Sequence, residues 1–127
     1  MDAIWIAVGA AIGANARYYV GQWIASWLGV SFPGDTLFIN LSGSFLIGVI
    51  ATVMGERILD GPPWRLILIV GFLGGYTTFS SFSFEVVSLL QEDRWLAASA
   101  YVVASVVLGV GACLLGITLA RSVGGGL

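Results

Sequence analysis

Four apolar runs, at about 3–28, 36–54, 66–90 and 96–120, occupy most of this chain, and only short separators lie between them. Each run is long enough to cross a hydrocarbon layer of about 30 Å, which takes roughly 20 residues of helix. The separators carry turn chemistry: Val30-Ser31-Phe32-Pro33-Gly34-Asp35, then Asp60-Gly61-Pro62-Pro63, then Gln91-Glu92-Asp93-Arg94. In lipid every backbone polar group has to be satisfied within the segment, so the runs read as helices. The expected architecture is an all-α integral membrane protein, with residues 1–127 forming one domain of four transmembrane helices. The first run begins at Ala3 with no basic leader and runs past the length of a signal-peptide core, so it reads as a retained span.

Composition removes whole classes of function. Charged residues make up 9% of the chain and hydrophobic residues 58%, which leaves little material for a soluble domain. There is no histidine, and the single Cys113 lies in an apolar run, so neither a disulfide nor a Cys/His metal site can form within one chain. A formal charge of −2 without a basic cluster speaks against nucleic acid. No carboxylate pair, nucleophile–base pair or phosphate-cradling loop can be assembled, so the chain does not read as an enzyme.

Small residues four apart mark each run: Gly9 with Gly13, Ser44 with Gly48, Gly71 with Gly75, Ala112 with Gly116. They allow helix backbones to approach closely, which is the usual packing device in lipid and by itself implies a compact bundle. Trp5, Trp23, Trp27, Trp64 and Trp95 fall mostly near the proposed ends, where an amphipathic ring sits at headgroup level. No half of the chain repeats the other. A midplane site built between related halves would then require a second copy, which favours a dimer.

Polar groups at membrane depth are costly, so their positions point towards function. In the second run Thr36, Asn40, Ser44 and Gly48 follow one helical face. The fourth run has Tyr101 and Ser105, four apart, and the first has Asn15 and Arg17. In the third, Gly74-Gly75-Tyr76-Thr77-Thr78-Phe79-Ser80-Ser81-Phe82-Ser83 precedes Glu85. Two adjacent glycines weaken a helix by about 1 kcal/mol each, and a helix broken near Gly74–Phe79 would expose carbonyls and N–H groups at midplane. The plainer reading is a packing notch whose hydroxyls bond back to i−4 carbonyls. Phe79 and Phe82 share a face; on spacing alone they are core packing, although ring edges are electropositive and can stabilise a passing anion without trapping it. Glu85 reads as a buried hydrogen-bonding partner in preference to a proton relay.

At this point the chain resembles the small fluoride channels of the Fluc, or CrcB, family. The matching segments are Gly13-Ala14 and Arg17-Tyr18 in the first run, Thr36-Leu37 with Asn40, Gly43, Phe45 and Gly48 in the second, and Gly71-Phe72-Leu73-Gly74-Gly75 through Thr77-Thr78-Phe79-Ser80, Phe82-Ser83 and Glu85 in the third. The resemblance implies a subunit that pairs with an inverted copy of itself as an antiparallel homodimer, with two fluoride pores along the boundary. By position, Phe79 and Phe82 look like the pore phenylalanines and Asn40 like the pore asparagine, with Ser80, Ser83, Tyr101 and Ser105 similar to the polar groups beside the path. Thr36 is taken with them from its place on the Asn40 face, and Arg17 reads as a vestibule charge that raises anion concentration, as a snorkelling side chain or as the partner of an acid. The backbone carbonyls of Gly74 and Thr77 look like ligands of a central structural Na⁺ that is not transported; oxygen ligands suit so hard a cation. Two departures are Asp35, where glycine is common in the family, and Ser81, where threonine is common. An acid near the mouth would oppose anions unless it is paired.

The expected function is passive, selective fluoride export across the cell (inner) membrane by a multi-pass protein whose partners are fluoride, membrane lipid and its own inverted copy. Fluoride is strongly hydrated, so a narrow path has to replace its water with amide and hydroxyl donors and ring edges. A small proton-coupled multidrug exporter would be expected to carry an acid deep in its first span, where this chain has Arg17; the other rival is a non-transporting assembly subunit. With both termini on one side, that side holds Arg57, Arg65 and Arg121 against Arg94 on the other, a weak bias that predicts insertion in both orientations.

Overall fold

A computed structural model describes residues 1–55 and 62–124. Those residues form α1 (Asp2–Leu28), α2 (Gly34–Gly55), α3 (Pro62–Arg65), a π-helical segment (Leu66–Leu73), α4 (Gly74–Tyr76), α5 (Ser80–Gln91) and α6 (Trp95–Gly124). The separator residues Asp60 and Gly61, with Glu56, Arg57 and the tail 125–127, lie outside the described residues. Three stretches combine the length and the apolar character needed to cross a membrane: Gly34–Gly55, Pro63–Gln91 and Trp95–Gly124. At 1.5 Å per residue the 27 residues of α1 reach about 40 Å, but Asn15, Arg17, Tyr18, Tyr19 and Gln22 dilute the apolar character of its second half.

Local chemistry sets the ends on one side of the bundle. Gly29 closes α1 at φ 80°, a left-handed conformation that favours glycine, and its N–H bonds the Ala25 carbonyl at 2.8 Å. Asp93 turns the chain between α5 and α6 at φ 60°, where the Arg94 N–H reaches back to the Leu89 carbonyl at 2.9 Å. The Arg94 guanidinium donates to the Ser31 carbonyl, which ties this turn to the α1–α2 loop. Beside this tie, Leu89, Ala98 and the fully buried Tyr101 form a small core with Phe32, Leu37, Phe82 and Val86. Elsewhere large apolar side chains face outward, among them Leu96, Val103, Val107 and Leu114 on α6, as expected where the surroundings are lipid or another apolar chain.

The small residues meet backbone. α1 lies against the π-helical segment so closely that a side chain at Gly9 would strike the Ile67 carbonyl and one at Gly13 the Phe72 carbonyl. Residues five apart stack along a π-helix and residues four apart along an α-helix, so the two rows run in step. A methyl group at Gly75 would lie 2.8 Å from the Ala10 carbonyl. α2 and α6 repeat the device, with Gly48 against the Cys113 carbonyl and Gly116 against the Phe45 carbonyl. Such contacts bring Cα–H groups within reach of carbonyl oxygens.

Within Pro63–Gln91 the weak point lies three residues beyond the two glycines. Gly74 and Gly75 are helical; the backbone becomes extended at Thr77, with φ −84° and ψ 159°, and the helix resumes at Ser80. Close packing on α1 outweighs the conformational cost of the glycines, whereas the Gly75 carbonyl and the Thr78 backbone have hydrogen-bond partners outside the helix.

Candidate functional site

Those outside partners are side chains of α1 and α2. Asn40 Nδ2 donates to the Thr78 carbonyl at 2.9 Å, and its Oδ1 accepts the Thr78 N–H at 2.9 Å, so one amide replaces both helical partners of that peptide unit. Arg17 Nε donates to the Gly75 carbonyl at 3.1 Å. The Ser81 N–H turns to Thr78 Oγ1 at 3.2 Å. In an unbroken helix the Thr78 and Ser81 N–H groups would bond to the carbonyls of Gly74 and Thr77. Those two carbonyls therefore lose their usual donors. Thr77 Oγ1 bonds back to the Leu73 carbonyl at 2.8 Å, the i−4 pattern expected of a hydroxyl in an apolar helix.

A cavity of about 440 Å³ opens at this interruption. Asn40, Ser44, Thr77, Thr78, Phe79, Phe82 and Ser105 line it together with Gly74 and aliphatic side chains, and no charged residue is among the lining. Ser105 Oγ is buried without a hydrogen-bond partner among the described residues. Phe79 and Phe82 stand with ring centroids 5.7 Å apart and planes tilted by 47°. Phe79 is 78% exposed, unusual for a phenylalanine beside a polar cavity.

A second polar group gathers around Glu85. Thr36 Oγ1 donates to Glu85 Oε2 and the Tyr101 hydroxyl donates to Oε1, each at 2.9 Å. Tyr101 also meets the Phe82 ring edge to face, at 5.0 Å between centroids. Thr36 and Tyr101, which share helical faces with Asn40 and Ser105, are thus drawn towards a carboxylate, while Asn40 and Ser105 line the cavity at the interruption. Ser80 lies outside that cavity, with its hydroxyl 3.4 Å from Thr78 Oγ1, and Ser83 does not line it.

Two further cavities lie towards the α1–α2 loop and share lining residues with their neighbours. The middle one, about 290 Å³, is lined by Arg17, Tyr18, Asp35, Thr36, Thr78, Ser81 and Glu85 and shares Thr78 with the cavity at the interruption. The outer one, about 310 Å³, is lined by Ser31, Phe32, Asp35, Glu85, Glu92 and Arg94 and meets the middle one at Ala25, Asp35 and Glu85. Thr78 had no distinguishing signal among five neighbouring hydroxyls; its joining position follows from the interruption itself.

Apolar helical stretches of spanning length, one of them interrupted at polar residues, define a multi-pass membrane protein. The CrcB family model, described as CrcB-like protein, Camphor Resistance (CrcB), matches residues 4–117. A protein of Chloroflexus aurantiacus named Fluoride-specific ion channel FluC is 48% identical over 120 residues, covering 94% of this chain and 95% of its own. Proteins with the same name from Roseiflexus sp. and Rhizobium leguminosarum bv. trifolii are 46% and 44% identical, each over at least 95% of this chain and 98% of its own. This chain belongs to the CrcB family.

Proposed function

We propose that this protein is a fluoride-selective channel that lets the ion leave the cell passively across the inner membrane. The observation that carries the reading is the cavity at the interruption: donors and phenylalanine rings line it, and no charged side chain does. A cation there would hold an anion tightly, and conduction requires that binding remain weak enough for release. Asn40 has two N–H donors and spends one on Thr78, which leaves the other for an ion. The unpartnered Ser105 hydroxyl adds a second donor, and the edges of Phe79 and Phe82 supply the weakly electropositive wall. Thr36 extends the path into the middle cavity, where Arg17 draws anions. Tyr101 acts by fixing Glu85 and Phe82, and Ser80 and Ser83 complete the polar side of the half-helix.

The same reading takes all four long helical segments as spans, with the third broken at Thr77–Phe79, and pairs the subunit with an inverted copy so that each dimer contains two pores. The exposed Phe79 ring at the open side of the cavity supports that pairing. The carbonyls of Gly74 and Thr77, freed of their ladder donors, suit a hard cation that needs oxygen ligands. They would hold a structural Na⁺, whose charge would fix the carbonyls of two copies against each other.

Efflux from proteoliposomes, followed with a fluoride electrode and compared with chloride, tests the function. Selective fluoride release is expected; release of both ions at equal rates, or of neither, refutes it. Replacing Na⁺ with a large organic cation should lower the flux without revealing sodium-coupled transport. One-sided labelling of a cysteine placed in the 124–126 tail should modify about half the molecules; complete labelling from one side would refute dual insertion.

A further inference from the structure

Five charged side chains line the middle and outer cavities, and four of them have partners. Arg94 donates to the Ser31 carbonyl and lies 3.8 Å from Glu92. Glu85 accepts from Thr36 and Tyr101, one on each oxygen. Arg17 is anchored through Nε to Gly75. Asp35 is the exception: half-buried, it lines both cavities, and no hydrogen bond or ion pair reaches its carboxylate among the described residues. One of its oxygens is 3.9 Å from where a side-chain carbon at Gly21 would stand, so it faces α1 across the junction.

Asp35 lies in the first turn of α2, where a carboxylate is favoured by the helix dipole. That explains how the charge is tolerated. It does not remove its field from the junction between the two cavities, which any ion moving from the loop end to Thr78 has to pass.

Building on the channel reading, we infer that Asp35 is an electrostatic brake at this junction and sets the rate at which anions reach the path. Arg17 faces the middle cavity with Asp35 and partly offsets it; Glu85 lies on the α5 side of the same junction, and Glu92 and Arg94 hold each other further out. A unit charge about 7 Å from an ion in a water-filled mouth changes the local anion concentration roughly threefold. The effect depends on ionic strength, since the screening length falls from about 30 Å at ~0.01 M to about 3 Å at ~1 M salt.

The test is fluoride efflux at pH 7 and subsaturating fluoride from liposomes containing wild type, Asp35→Asn or Asp35→Glu. Sodium is held constant and ionic strength is set with an impermeant organic salt. Asp35→Asn should run roughly threefold faster than wild type at ~0.01 M and equal it at ~1 M. Asp35→Glu should behave as wild type, and wild type itself should accelerate with salt. An Asp35→Asn rate no higher than wild type at low salt, or an acceleration equal at both salt levels, overturns the inference. If Asp35→Asn does not fold, a wild-type rate indifferent to salt overturns it equally. A wild type that releases no fluoride above protein-free liposomes refutes the channel reading, and the brake falls with it; a wild type that conducts without the salt effect refutes the brake alone.

Discussion

The cavity at the interruption and the group around Glu85 both combine hydroxyls with aromatic rings, the first around an amide and the second around a carboxylate, and they are satisfied in different ways. Around Glu85 both carboxylate oxygens receive a hydroxyl, and the neighbouring rings are packed; Tyr101 is fully buried. At the interruption a serine hydroxyl has no partner among the described residues, an amide keeps one donor in reserve, and a phenylalanine is 78% exposed. A closed network stabilises a fold, while an open one has capacity to bind. On the proposed function, the difference separates residues that chiefly hold the structure from residues free to meet an ion.

The harshest way to break this contrast is to put a charge into the uncharged cavity. In Asn40→Asp a carboxylate about 4 Å from a fluoride ion, at an effective dielectric near 20, opposes it by about 4 kcal/mol, so flux should fall roughly a thousandfold. The donor to the Thr78 carbonyl is lost as well. Wild-type efflux with the carboxylate shown to be ionised would take Asn40 out of the path.

Next come Phe82→Ile and Phe79→Ile, which keep much of the apolar volume and lose the ring edge. Each should slow efflux by about fivefold while the protein remains folded by size exclusion, consistent with aromatic geometry worth about 1 kcal/mol. Normal rates in both variants would return the rings to simple packing. The effect should be greater for Phe82, which also packs on Tyr101.

Tyr101→Phe sharpens the comparison from the other side. It removes one of the two donors to Glu85, and a hydrogen bond to a charged group is worth about 1.5–3 kcal/mol. Thermal stability should drop measurably while efflux stays within about threefold of wild type, as befits a residue acting through its neighbours. A large loss of flux at unchanged stability would place the Glu85 group in direct contact with the ion. The smallest effect belongs to Ser105→Ala. With no hydrogen bond to lose, it should leave stability unaltered and reduce efflux by a few-fold, the worth of one neutral donor.

Much of the scaffold was legible because lipid enforces few solutions. The apolar runs 36–54 and 96–120 fall within α2 and α6 and the run 66–90 within Pro63–Gln91, and each of the pairs Gly9/Gly13, Gly71/Gly75, Ser44/Gly48 and Ala112/Gly116 lies on a helical segment that packs backbone to backbone. The π-helical turn was not legible. Leu66–Val70 is an aliphatic stretch with no local mark, and its wider turn shows only against the glycines of α1. Nor could spacing tell which hydroxyl turns to which partner. Thr36 and Asn40 are one helical turn apart on α2, yet one serves a carboxylate and the other a backbone unit, because α5 places Glu85 beside the first and the interruption places Thr78 beside the second. For Arg17 the sequence left a vestibule charge, a snorkelling side chain and the partner of an acid open; its anchoring to the Gly75 carbonyl required the tertiary contact to be seen.

The glycine contacts also have a mechanical consequence. Backbone pressed on backbone leaves little room to slide, so α1 is held tightly to the π-helical segment and α4, and α2 to α6, while α5 packs on α6 and α1 also packs on α2. The third apolar stretch thus packs on α1 with its first half and on α6 with its second, and Thr77–Phe79 is the seam between the halves. Were a thinner or thicker bilayer to tilt α1 and α6 relative to each other, the strain would collect in those three residues and in the Asn40 amide that bridges them. Lipid chain length would thereby act on the interruption beside the proposed path without any lipid having to touch it.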